Sequence, residues 1–166
     1  MDEPSSTISN HGSPVLNFET NFTDESPKAR GAGTVVGDVN LNSTKKYGNS
    51  SAQFDGTGDY LAFADSADFR YTSDFTIEAF VNFDATGSAN TVFSHITDAS
   101  NFVKLSRLAN DTIQFRIAES GTDAIDLQGG SISASTWYHV AVSYESEVEL
   151  IKLFVDGTKV AEDNTA

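Results

Sequence analysis

The sequence predicts an all-β domain built from two packed antiparallel sheets, and three observations carry that prediction. From Val15 onward, short apolar runs are broken every eight to twelve residues by Gly, Asn, Asp or Ser, the spacing of a sandwich or barrel. Several of those runs alternate apolar and polar residues at period two, as half-buried strands do. No segment shows a helical period or a long internal repeat.

The strands follow in order along the chain. Residues 1–14, "MDEPSSTISNHGSP", are rich in Ser, Pro and Asn and read as a flexible arm or linker, leaving 15–166 for the sandwich. "FTIEAFVNF" (75–83) is the clearest strand, with Phe75, Ile77, Ala79, Val81 and Phe83 on one face. "TVFSHI" (91–96), "FVKLSRL" (102–108) and "TIQFRIA" (112–118) continue an antiparallel series, the last two joined through Asn110-Asp111. "WYHVAVSY" (137–144) sets Tyr138, Val140, Val142 and Tyr144 against Trp137, His139, Ala141 and Ser143. "LIKLFVDGTKVAE" (150–162) reads as a hairpin, because Asp156-Gly157 is a strong turn signal between apolar runs. The twelve Phe residues are expected to supply most of the core volume.

Bulk properties narrow the function classes. The 166 residues suffice for one ordinary domain. No cysteine is present, which removes disulfides, thiolate metal sites and cysteine nucleophiles. A net charge of −14, with scattered Lys and Arg, argues against nucleic acid as a partner while suiting divalent cations. Apolar stretches fall far short of the roughly 18–20 residues that cross a bilayer, and the N-terminus has no signal-peptide pattern.

The stretch "SSAQFDGTGDYLAFADS" poses the central question. Its Asp55-Gly-Thr-Gly-Asp59 loop offers two hard oxygen ligands on a backbone that bends freely, which suits Ca²⁺. The alternative is a plain hairpin turn in which Asp55-Gly56 adopts positive φ. Catalytic readings are weaker. "YESEVELIK" alternates Glu145, Glu147 and Glu149 but reads as an acidic turn, and Glu78 stands alone on its strand. His139 reads as a framework histidine, His95 lacks a nucleophile motif beside it, and no phosphate loop occurs. Tyr47, Tyr60 and Tyr71 are loop aromatics that could stack on sugars, without defining a carbohydrate subsite.

"GNSSAQFDGTGDY", "FTIEAFVNF", "WYHVAVSYE" and "KLFVDG", in that order, resemble the laminin G-like, concanavalin A-like lectin/glucanase superfamily, and its pentraxin-like branch in particular. "VLNFETNFTDES" is similar to that branch's opening strand and Asp-x-Ser loop. The wording around the Asp55 loop is also similar to modules of tailed-phage virion proteins. The resemblance implies a jelly-roll sandwich that binds glycans or proteins, with calcium near Asp24-Glu25-Ser26; Asp24 is then the first expected metal ligand and Asp55 the second. The superfamily's Glu-x-Asp-x-x-Glu glucanase motif is absent, so no enzymatic activity is expected. The expectation is a recognition module on a virion or extracellular surface, contacting glycan and neighbouring virion proteins. Purely structural decoration of the particle and an accessory domain of a secreted hydrolase are the rivals. Relatives continue past the "FVDG" hairpin with closing strands, so an oligomer or a longer polypeptide is expected to complete the sheet edge.

Overall fold

The computed structural model describes residues 14–66, Phe69 and residues 73–164. The arm expected at 1–14 lies outside the described residues except for Pro14. Among the described residues all regular structure is strand apart from 3₁₀ backbone at Phe69. Among the described residues no helix is long and apolar enough to cross a membrane. The chain divides into two compact units, residues 1–70 and 71–166, where the sequence had marked a boundary only at 14.

The second unit holds the sandwich. Its strands are β7 (Phe75–Asn82), β8 (Asn90–Asp98), β9 (Asn101–Arg107), β10 (Thr112–Glu119), β11 (Thr122–Ser131), β12 (Trp137–Glu145), β13 (Leu150–Val155) and β14 (Thr158–Asn164). They form two antiparallel four-stranded sheets, ordered β11-β10-β9-β8 and β14-β13-β12-β7. The alternation read along 75–83 holds: Ile77 is buried while Thr76, Glu78 and Phe80 face outward. Asp156 and Gly157 take φ of 48° and 73°, the two positive values that a right-twisted two-residue hairpin needs.

Both sheets contribute to one core, with Leu105, Ile113, Phe115, Ile125 and Leu127 from the first and Ile77, Val140, Val142, Ile151 and Leu153 from the second. Branched aliphatics dominate it, which corrects the expectation of a phenylalanine core. Phe115 is its sole fully enclosed phenylalanine; Phe75, Phe83 and Phe93 only pack against it, and Phe80 is outward and exposed. The reason is geometric: β-branched side chains fill a pleated interface closely, whereas rings sit well at its margins.

Strand β11 was not foreseen. Only Ile125 and Leu127 are buried along its ten residues, and Gly129-Gly130 interrupts its pattern. That pair does structural work. Gly130 (φ +69°) is the extra residue where the register between β10 and β11 slips, so it forms a bulge. A Cβ on Gly129 would lie 2.8 Å from the Val160 carbonyl, and one on Gly130 2.6 Å from Val155 Cγ2. The two glycines thus let β11 approach β13 and β14 of the opposite sheet.

The first unit is made of short pairs: β1 (Thr23–Asp24) with β2 (Gly31–Ala32), β3 (Thr34–Val36) with β6 (Tyr60–Ala62), and β4 (Asn40–Asn42) with β5 (Ser51–Gln53). Val39 and Phe69 are its buried apolar side chains among the described residues. Arg30 lies over the Phe69 ring, 5.1 Å from its centre.

Candidate functional site

The Asp55–Asp59 loop links β5 to β6, but those strands do not pair with each other. It is therefore not a hairpin, and the turn alternative takes a different form. Pairing of β3 with β6 sets Val36 against Tyr60, which brings Gly37-Asp38 beside Gly58-Asp59. Asp59 then clasps both segments: Oδ1 accepts the Asp38 amide at 2.9 Å and Oδ2 accepts the Asp55 amide at 2.8 Å. Asp55 in turn accepts the Thr57 amide at 2.6 Å. Gly56 and Gly58, at φ of 86° and 81°, let the loop double back over so few residues. Gly37 is required for a second reason, since a Cβ there would sit 2.0 Å from Asp59 Oδ1.

The result is a group of three carboxylates, Asp38, Asp55 and Asp59, with one ligand oxygen from each lying within 4.8 Å of the others. Asp38 and Asp55 are exposed and Asp59 half-buried. The Asp55 amide is the largest influence; against desolvation, which pushes the other way, it and the Asp38 amide together hold the Asp59 carboxyl below its ordinary pKa. Three carboxylates gathered this closely repel one another in a way that a divalent cation relieves. The donor set fits calcium: hard oxygens, a flexible Gly-rich backbone and open access for water or ligand hydroxyls. Phe54 and Tyr60 flank the loop in the chain and are exposed at 45% and 53%.

Asp24 does not join this group. It is buried in β1, where Oδ1 accepts the Val15 and Ser26 amides and Oδ2 accepts the Ser26 hydroxyl and Arg30 Nη1. The Arg30 guanidinium sits 2.9 Å away as an ion pair. Burial alone would raise the Asp24 pKa, but the amides of Val15 and Ser26, the Ser26 hydroxyl and the Arg30 amide overcome it and hold the carboxyl far below its usual range. An acid with both oxygens saturated and a cation beside it has no room for Ca²⁺. Asp24, the first expected ligand, is thus held in an ion pair with Arg30 and anchors the Asp24–Arg30 turn.

The other singled-out residues are dispersed. Tyr47 is exposed, with Lys46 Nζ 5.9 Å from its ring centre. Tyr71 lies outside the described residues. Glu147 and Glu149 fall in the turn between β12 and β13, and Glu145 pairs with Lys152. His139 stacks on Phe80 at 4.8 Å between ring centres and meets Glu78 at 3.2 Å on the outward face of β7 and β12. Two residues escaped the sequence reading. Asp38 carries a faint signal, because Gly37-Asp38 echoes Gly58-Asp59 across paired strands. Arg107 is 2% exposed and donates to the carbonyls of Ser88 and Ala85 and to Asn90 Oδ1, pinning the loop after β7; nothing in its local sequence marks it.

Comparison with known proteins bears on this arrangement. A family model described as the concanavalin A-like lectin/glucanases superfamily matches residues 55–166. No curated protein matches the chain significantly. Among solved structures, the chain is similar to an S-layer domain-containing protein from Clostridium thermocellum ATCC 27405, with TM-score 0.59 and 21% identity over 92% of this chain and 72% of that one. It is also similar to a candidate carbohydrate-binding protein from Bacteroides ovatus ATCC 8483, with TM-score 0.45 and 21% identity over 58% of this chain and 27% of that one.

Proposed function

The chain belongs to the concanavalin A-like lectin/glucanase superfamily, and from that premise we propose that it is a non-enzymatic glycan-recognition module displayed on a surface. The single observation that carries the reading is the Asp38–Asp55–Asp59 cluster, on a loop flanked in the chain by exposed Phe54 and Tyr60. Asp38 and Asp55 would hold the ion, with Asp59 fixing the loop beneath them, and a bound Ca²⁺ would offer its open positions to vicinal sugar hydroxyls. The sugar's C–H face rests on an exposed ring. Because the carboxylates are open to solvent, affinity for the ion is weak, on the order of 10⁻⁴–10⁻³ M, as in extracellular modules.

Catalysis is not part of the reading. Hydrolysis of a glycosidic bond needs two carboxyl groups roughly 5–10 Å apart acting as acid and as base or nucleophile. Glu145 is engaged by Lys152, and Glu78 by His139, while the Asp cluster is too tightly grouped to split the roles across a sugar ring. The resemblance of the Asp55 loop to virion modules makes a virion surface the proposed setting, with neighbouring virion proteins as structural partners. The acidic balance suits display in solvent rather than contact with nucleic acid.

A glycan array probed in calcium, paired with an assay for reducing-sugar release from any hit, tests the reading. Retention of a defined glycan class without release is the expected result. An array with no hit, or a hit that the protein cleaves, would contradict it.

A further inference from the structure

The tripeptide Asp-Gly-Thr occurs twice in the chain, at 55–57 and at 156–158. Glycine has no Cβ to keep its own nitrogen away from the preceding carboxyl group. Whether the two groups react then depends on where the surrounding structure turns the carboxylate.

At Asp156 it is turned away. Oδ1 accepts the His139 amide at 2.8 Å, and the Asp156 amide donates to the His139 carbonyl at 2.8 Å. Both bonds run across to β12, and the positive φ values of Asp156 and Gly157 belong to the paired hairpin of β13 and β14. Closing a ring onto Gly157 would break the carboxylate's bond to β12 and disturb the hairpin turn together.

At Asp55 the carboxylate is curled forward over its own chain. Oδ1 accepts the Thr57 amide at 2.6 Å, which lays the carboxyl group along the Gly56 peptide. A donor therefore already stands at the oxygen on which negative charge develops during attack at Cγ. Gly56 is open: a Cβ there would meet nothing within 4 Å, and among the described residues its amide donates to no backbone carbonyl. Asp55, Gly56 and Thr57 are all exposed and lie outside the strands.

We propose that Asp55 is a site of spontaneous isomerisation to isoaspartate, a covalent modification that dismantles the three-carboxylate group. The Gly56 nitrogen attacks Cγ of the Asp55 carboxyl group and gives up its proton. The C–OH bond breaks, the oxygen leaves as water, and a five-membered succinimide closes. Water then reopens the ring. Addition at Cγ returns aspartate, whereas addition at the α-carbonyl leaves the main chain running through Cβ and Cγ. Water is the only co-reactant, and nothing is oxidised or reduced. Isoaspartate has one more atom in the backbone and a carboxylate set directly on Cα, so the oxygen that lay within 4.8 Å of its Asp38 and Asp59 counterparts is drawn away. Loss of a cation site with age rests on the calcium reading above; the isomerisation itself does not. A Ca²⁺ held by Asp55 would keep the carboxyl ionised, and a carboxylate is a poor electrophile, so the ion would protect the residue.

The test is incubation of the full chain in H₂¹⁸O at neutral pH, in EDTA and in calcium, followed by peptide mapping. Ring opening leaves an ¹⁸O atom at the residue that closed a succinimide, and a protein isoaspartyl methyltransferase marks the isomer. Expected in EDTA is label at Asp55 at least about tenfold above that at Asp156, because only one of the two carboxylates is positioned for attack. In urea, where the shared tripeptide is all that remains, the two rates should converge. Asp55→Glu should leave position 55 unlabelled, since its ring would need six members. Calcium should slow labelling at Asp55 in the folded chain. No label at Asp55, or equal label at the two aspartates of the folded chain, overturns the modification whatever calcium does. Label at Asp55 that accumulates equally with and without calcium upholds the modification and removes Asp55 from the cation site.

Discussion

Arg107 and Asp24 show how single residues govern this chain away from any ligand. Arg107 is enclosed, its guanidinium lies 4.3 Å from the centre of the Phe83 ring, and its hydrogen bonds end on the Ser88 and Ala85 carbonyls of the loop after β7. Arg107→Met should therefore cost about 2 kcal/mol in urea unfolding, because it removes the charged hydrogen bonds that pin the loop after β7. A loss within about 0.5 kcal/mol, the range of ordinary surface changes, would remove Arg107 from this role. Asp24 sets the acid limit. Its pKa is lower folded than unfolded, so the unfolded chain binds the proton more readily and the stabilisation is complete above the unfolded pKa, about 4. That stabilisation is lost as pH falls below about 4 toward the lower folded value. Asp24→Asn should lower stability at neutral pH and flatten the acid limb of a stability–pH curve; an unchanged slope below pH 4 would contradict the assignment. Neither role was legible in the sequence. Asp24 stood out as an acid in an Asp-x-Ser loop, but only the fold shows Arg30 beside it, and Arg107 looks like any strand residue until pairing of β8 with β9 brings it to partners 17 to 22 residues earlier in the chain.

At the scale of elements, strands announced by alternation appear where expected. β7, β12 and the β13–β14 hairpin each couple a period-two apolar face to a turn whose backbone only certain residues adopt. β11 was hidden because its function is close approach rather than burial, and glycine carries no periodicity. Replacing Gly130 by Ala forces a side chain into positive φ and against Val155, and Gly129→Val meets the Val160 backbone. Each should destabilise the fold by roughly 1–3 kcal/mol, read as a lower midpoint in chemical denaturation. A neutral Gly130→Ala would mean that β11 and β13 can separate without cost. In the first unit the corresponding device is Gly37 against Asp59. Gly37→Ala should displace the clasp and weaken any calcium-induced rise in melting temperature, whereas Gly56→Ala, which meets open space, should cost backbone strain alone.

Taken as a whole molecule, the chain joins a two-sheet sandwich to a unit of short strand pairs that gathers its carboxylates. The sandwich class was legible because burial imposes a pattern on every strand. The cluster was half legible: Asp55 and Asp59 share one loop, but Asp38 arrives from 21 residues away, and only the β3–β6 pairing brings it there. The central claim is that this cluster serves glycan recognition through a divalent cation. Its most direct test is the affinity of the wild-type chain for its array glycan by titration calorimetry, in calcium, after chelation, and with Asp38→Asn and Asp55→Asn. The account predicts that chelation and either substitution each weaken cation-supported binding at least tenfold, about 1.4 kcal/mol, without lowering stability in the absence of calcium. Equal affinity in calcium and EDTA, carried unchanged by both variants, would contradict it.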